Sequence, residues 1–253
     1  MEDERLIELI NRSTTLQALY EQKVMSRHEL QNRLGISRST IHRVIHSLLE
    51  NGVIERIDGD FTLTAFGKIS ARKVKEFETN IETAVELAPV LETIEKHDID
   101  LDISDFTTAT VTRAEPGNPY RGVNRFMSLV EETDTLRGLD PASINPLHID
   151  TLNDRIIDGM VTEAVYPPDV VENLLSTYPE KAKEVFESGN LTLWMHDNIP
   201  FGITLCDDRI GIGIYDDNTG MLKLFVDTDD PEAREWAESV YHSYRAEATQ
   251  VEQ

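Results

Sequence analysis

Apolar positions in the first quarter of the chain recur at helical spacing, in short runs separated by recognisable stops. Leu6, Ile7, Leu9 and Ile10, then Leu16, Leu19 and Tyr20, predict one or two amphipathic helices broken near Ser13-Thr14. Ser26 followed by Glu29 has capping-box spacing and should open a helix carrying Leu30 and Leu34 at i, i+4. That helix should stop at Gly35, which adopts a left-handed turn cheaply. Ile36 would plug the corner and Ser37 would cap the next helix. From Arg38 to about Glu50, Ile41, Val44, Ile45, Leu48 and Leu49 form one buried stripe. After Asn51-Gly52 come two β-rich runs, Val53–Ile57 and Asp60–Leu63, joined by Asp58-Gly59, a strong hairpin signal.

A helical pattern then runs from Thr64, a plausible cap, to about Glu95, through Phe66, Ile69, Val74, Phe77, Ile81, Val85, Leu87 and Leu91. Pro89 is expected to kink or split it. A helix of this length between two domains either pairs with its twin in a dimer or packs on its own body. Beyond it, strands are predicted at 108–113, 135–139, 161–166, 191–195, 201–205, 209–215 and 222–226. Helices are predicted at about 119–132, 144–157, 170–177, 179–188 and 231–246, with Asp207-Asp208 and Asn218-Thr219-Gly220 as turns. The fold class is therefore α+β with α/β character. A winged helix-turn-helix should occupy 1–66, a linker or dimerisation helix 67–97, and an α/β layered sensor domain 98–253.

The charge distribution changes the picture. The chain carries a net charge of −23, odd for a protein that must neutralise phosphates. Residues 1–75, however, hold 12 Lys+Arg against 10 Asp+Glu, leaving 12 against 37 in the remainder. A near-neutral head on a strongly acidic body fits a nucleic-acid-binding head and a solvating body. Only 8 of the 24 cations are lysines. Acidic, lysine-poor surfaces suit a salt-rich medium, where the Debye length falls to roughly 3 Å; an ordinary acidic protein is the alternative. No apolar run approaches the roughly 18–20 residues of a membrane span. The acidic start lacks a signal-peptide pattern, so a cytoplasmic location is expected. A single cysteine, Cys206, leaves no internal disulfide.

A helix, a glycine turn and a second helix with a polar, cationic face predict major-groove entry by the second helix. Arg38, Ser39, Thr40, His42, Arg43 and His46 are the candidate DNA-contacting residues there, and Arg56 is the candidate on the wing. The arginines can give bidentate bonds to guanine or phosphate. The alternatives are a solvated helix face, and an Arg56 paired with Asp58 or Asp60. The run from Ser26 to Arg43 resembles archaeal winged-helix regulators of the MarR/TrmB-like kind. Gln31 departs from the small alanine usual in those motifs.

In the body, Leu136-Arg137-Gly138-Leu139, Tyr166-Pro167-Pro168 and the run from His196 to Gly202 resemble the ligand-sensing middle domain of FilR-type methanogenesis regulators. Domains of that kind are distantly similar to the phospholipase D fold, whose active strand reads His-x-Lys-x4-Asp. On that spacing this chain offers Phe201, Ile203 and Asp208, and it contains no His-x-Lys at all. Nucleophile and phosphate-holding lysine are both missing, so no catalytic residues, cofactor or metal are expected and a retained binding pocket is. Arg137, Tyr166, His196 and Phe201 are the candidate ligand-binding residues, expected to converge where strands end at a topological switch. Otherwise Arg137 pairs with Asp134 or Asp140, and His196 with Asp197. His148 with Asp150 reads as a helix-end pair and Cys206 as inert core. The expected function is a sequence-specific transcription regulator binding double-stranded DNA, a homodimer responding to a small-molecule effector. The alternatives are a ligand-independent, partner-recruiting DNA protein and a DNA-targeted hydrolase.

Overall fold

The computed structural model describes residues 2–142, 148–216 and 218–251. The chain divides into two compact units, Met1–Glu82 and Thr83–Gln253.

In the first unit, α1 (Glu2–Asn11) and α2 (Ser13–Gln22) are separate helices, broken where the pattern placed the break. A two-residue strand, β1 (Val24–Met25), leads into α3 (Arg27–Leu34) and α4 (Arg38–Glu50). Both halves of the capping box form: the Ser26 hydroxyl accepts from the Glu29 amide at 3.2 Å, and the Glu29 carboxylate accepts from the Ser26 amide at 2.7 Å. Gly35 closes α3 in the left-handed region (φ 63°), which an L side chain would strain. Ser37 caps α4 by accepting from Thr40 N–H. β2 (Ile54–Ile57) and β3 (Asp60–Leu63) pair antiparallel through Asp58 (φ 52°) and Gly59 (φ 97°), the two positive φ angles of a type I′ hairpin. β1 adds to β3, giving the order β1-β3-β2. One core gathers Leu16, Leu19, Leu30, Ile41, Val44, Ile45, Leu48, Val53, Phe61 and Leu63. This is a winged helix-turn-helix.

The linker pattern is split into two helices near Pro89. α5 (Ala65–Glu86) starts where the Thr64 hydroxyl accepts from Gly67 N–H at 3.0 Å, and it ends before Leu87. α6 (Ala88–Glu95) begins with Pro89 in its first turn, where the missing N–H costs nothing. Ala71 and Val74 of α5 bury against the head core. Leu87, Val90 and Ile94 are fully or nearly fully buried in the body core.

The body follows with a 3-10 turn (Ile103–Phe106), β4 (Thr110–Arg113), α7 (Arg121–Glu132), β5 (Thr135–Leu139), α8 (Ile149–Ile157), β6 (Val161–Tyr166), α9 (Pro168–Thr177) and α10 (Pro179–Glu187). Then come β7 (Leu191–Met195), β8 (Gly202–Leu205), β9 (Ile210–Tyr215), β10 (Leu222–Thr228), α11 (Pro231–Glu247) and β11 (Thr249–Gln250). The helix expected from residue 144 begins at Ile149; positions 143–147 lie outside the described residues. One eight-stranded sheet results, in the order β11-β7-β6-β5-β8-β9-β10-β4. β5, β6 and β7 run parallel, and the pairs from β5–β8 onward are antiparallel.

Side chains alternate between the faces of this sheet. Leu139, Val165, Ile203, Leu205, Ile212 and Leu224 turn to one face, where Ala233, Ala237 and Tyr241 of α11 and Val90 of α6 cover them. Leu136, Cys206 and Phe225 turn to the other, against Met127 and Val130 of α7, Leu152 of α8 and Val185 of α10. Asp227, wholly buried on β10, accepts from both Nε and Nη2 of Arg125 on α7, at 2.9 and 2.6 Å, and from Arg209 Nε at 2.7 Å. Asp227→Ala leaves two partly buried guanidinium groups without their acceptor. It should destabilise the body by about 3–5 kcal/mol in denaturant unfolding. A loss below about 1 kcal/mol would mean this network does not tie α7 to the sheet.

Candidate nucleic-acid interface and body cavity

The buried stripe of α4 fixes what its other face presents. With Ile41, Val44, Ile45 and Leu48 in the core, Arg38, Ser39, His42, Arg43 and His46 are exposed and Thr40 is half-buried. The Ser37 hydroxyl lies 2.9 Å from both Ser39 Oγ and Thr40 Oγ1 and also accepts from the Thr40 amide, so the first turn is a cluster of hydroxyls. A helix N-terminus of that kind attracts phosphate. His46 Nδ1 lies 3.0 Å from Glu50 Oε2, and its ring stacks at 6.4 Å on His42. Arg38 and Arg43 make no ion pair among the described residues, so both guanidinium groups are unclaimed. On the wing, Arg56 is exposed and lies over the Phe61 ring at 5.5 Å rather than beside Asp58 or Asp60.

Of the four candidate ligand residues, Arg137 and Tyr166 both line the smaller of two cavities, and His196 and Phe201 line neither. Arg137 has its guanidinium 3.1 Å from Glu238 and 5.9 Å above the ring of Tyr241, both on α11. His196 packs edge-on against Tyr244 of α11 at 5.2 Å, with Glu247 at 3.8 Å, and its Nδ1 accepts from Asn198 N–H at 3.1 Å. Phe201 is fully buried in the core under α11. Tyr166 alone points to the opposite face. The physical reason is parity: Arg137 and Leu139 share one side of β5, and neighbouring positions take the other.

On that other face two adjoining cavities open, of about 120 and 460 Å³. Phe126, Asp140, Tyr166 and Thr204 line both. Asp140 follows β5, Tyr166 ends β6 and Tyr215 ends β9, three strands that run in the same direction. Their carboxyl ends meet where the chain passes from the parallel to the antiparallel half of the sheet, a place where open α/β sheets bind ligands. Gly202 leaves the floor open, since a Cβ there would stand 3.2 Å from Asp140 Oδ2. The Tyr215 hydroxyl donates to Asp140 Oδ2 at 2.5 Å, and Ala142 N–H donates to Oδ1 at 2.8 Å. Burial raises the Asp140 pKa to about 7, against the pull of these two hydrogen bonds. It also raises Tyr166 and Tyr215, aided by Asp140, so both remain phenols.

Sequence reasoning missed Asp140. A signal was present: β5 and β6 both end in a polar residue followed by proline, Asp140-Pro141 and Tyr166-Pro167. Other candidates resolve differently. Asp150 is held by Lys181, and His148 lines the larger cavity instead. Asp207 accepts from the amides of Asp134 and Thr135, fastening the start of β5. Burial pushes the Cys206 thiol up to about 11, so it stays protonated at neutral pH.

A winged head with a cationic recognition helix, joined to a sensor-like α/β body, is the build of a DNA-binding transcription regulator, and the chain falls in that class. Residues 119–247 match the family described as the methanogenesis regulatory protein FilR1, middle domain, and the chain belongs to it. Residues 2–86 match the HVO_A0261 N-terminal domain. No curated protein sequence matches the chain. Among solved structures it is similar to TrmBL2, described as an archaeal chromatin protein with a novel mode of DNA binding, at 13% identity and TM-score 0.47 over 96% of this chain and 94% of that one. It is also similar to Nuc, a phospholipase D family member from Salmonella typhimurium, at 12% identity and TM-score 0.45 over 57% and 98%. NucT from Helicobacter pylori gives 11% and 0.46 over 56% and 98%. No helix among the described residues is long and apolar enough to cross a membrane.

The raised Asp140 pKa has a consequence for stability. The folded body holds that proton more tightly than the unfolded chain does. The stabilising contribution is therefore complete below the ordinary carboxylate value and lost as pH rises through about 7. Asp140→Asn, neutral throughout, should exceed the wild type at pH 8 by up to about 4 kcal/mol and lose that advantage as pH falls toward 4. Paired denaturant titrations at several pH values measure it. A difference independent of pH would contradict the assignment.

Proposed function

We propose that this chain is a homodimeric, effector-responsive transcription regulator that places α4 in the major groove and Arg56 of the wing on the phosphate backbone. The observation that carries the DNA reading is the α4 face itself. Its first turns expose two arginines with no acidic partner among the described residues, on an otherwise strongly acidic protein. Arginines left unpaired amid so much carboxylate are held for a partner richer in negative charge. Ser39, Thr40, His42 and His46 complete the face offered to the duplex.

The homodimer reading is supported by α5. Its buried side meets the head core through Ala71 and Val74. Ile69, Phe77, Ile81 and Val85 fall on one i, i+4 row and are 50–71% exposed, with Phe66 beside them at 43%. An apolar row of this length on a surface helix marks an association surface, and two copies joined along it would present two α4 helices to two half-sites. The effector reading is supported by the cavities around Asp140 and Tyr166. The larger falls within the roughly 300–1,000 Å³ usual for small-molecule sites. The acidic, lysine-poor body suits work at high salt, where surface repulsion is screened.

Arg38→Ala and Arg43→Ala should each weaken binding to an operator recovered by genome-wide mapping, by roughly 1–3 kcal/mol where the arginine contacts a base. Fluorescence anisotropy reads this, and unchanged affinity in both variants would remove α4 from the interface. Light scattering in molar KCl should give about twice the chain mass of 28.7 kDa. Ile81→Asp should return it to the monomer mass. A wild-type monomer at tens of micromolar would contradict the dimer.

A further inference from the structure

The cavities take their chemistry from one group. Among the described residues lining them, Arg137 is held by Glu238, Glu163 accepts from Arg245 at 2.6 Å, and Lys181 is held by Asp150. Each of those charges already has its opposite. Asp140 has none among the described residues: the two hydrogen bonds it accepts there come from neutral donors, the Tyr215 hydroxyl and the Ala142 amide. A carboxylate has about four acceptor positions, so part of its capacity faces the cavity. Around it the wall of the larger cavity is aromatic, built from Tyr120, Phe126, Tyr166, Tyr215 and Phe225, with Phe126 and Phe225 edge-to-face at 6.1 Å.

A partly buried carboxylate with no counter-ion among the described residues is costly, and a bound cation removes that cost. Aromatic faces attract the same charge and suit amines and quaternary ammonium groups. An anionic ligand would meet Asp140 with only His148 on the wall of the larger cavity to offset it. A wholly apolar one would leave the carboxyl's open positions dry.

We propose that the body's effector is a small organic cation, an amine or quaternary ammonium with an apolar portion. Its charge is met by Asp140, and its apolar portion lies against the five aromatic rings. This rests on the reading of the cavities as the effector site. Binding of such a cation requires Asp140 ionised, so affinity should decline as pH falls below about 7. The other titratable groups lining the cavities among the described residues are Tyr120, Tyr166, Tyr178, Tyr215 and His148, together with the paired Arg137, Glu163 and Lys181. The Tyr166 and Tyr215 phenols stay neutral.

The test uses the full chain with three probes of matched shape: benzylamine, benzyl alcohol and benzoate. Calorimetric titration at pH 8 should give benzylamine at least about a tenfold tighter Kd than either other probe. Asp140→Asn should erase that preference. Wild-type affinity for benzylamine should fall toward the limit of about tenfold per pH unit below pH 7, which keeps the proposal testable even if the variant fails to fold. Tighter or equal binding of benzyl alcohol or benzoate would overturn the cationic class while leaving the effector cavity in place. The same holds for a benzylamine preference that survives both Asp140→Asn and acidification. Absence of binding by all three probes would overturn the cavity as an effector site as well.

Discussion

The two-residue period of the body sheet is the constraint on which the rest of the body depends. Leu139, Val165 and Ile203 lie level across β5, β6 and β8 and must bury together under α11. The residues one step on, Asp140 and Tyr166, and Gly202 one step back, then have to turn to the other face. No separate device is needed to gather the cavity's polar groups, since they follow from where the large aliphatic side chains go. The same parity takes Arg137 and Glu163 to α11, where Glu238 and Arg245 meet them. One face is thus a closed ionic and apolar layer, and the other keeps Asp140, with no counter-ion among the described residues, beside open space.

The head was legible because its signals are local. The Ser26–Glu29 box, Gly35, Ser37 and Asp58-Gly59 each dictate backbone geometry within a few residues. The strand and helix sequence of the body was legible for the same reason, including the break at Pro89 that separates α5 from α6. The facing of β5 was not. Leu136 and Leu139 bury on opposite sides of the sheet, so the strand shows no alternation from which its parity could be read. Arg137 stood out as an isolated cation in the sequence, but its partner Glu238 lies about a hundred residues away on α11. Tyr166 was placed correctly at a strand end. Phe201 and His196 followed a motif spacing rather than a face, and both belong to the α11 side.

The charge division carries the argument from structure to mechanism. An excess of 25 acidic groups over basic ones beyond residue 75 keeps the body away from phosphate. In the proposed complex, Arg38, Arg43 and Arg56 concentrate the attraction on α4 and the wing. In the proposed dimer, the apolar row on α5 sets the distance between two such heads.

The most direct measurement of the proposed arrangement is a hydroxyl-radical footprint of the wild-type chain on its operator. Two heads joined along α5 should protect two short patches on one side of the duplex, separated by about one helical turn of 10–10.5 base pairs or a multiple of it. A single protected patch would contradict the account, as would uniform protection without that spacing.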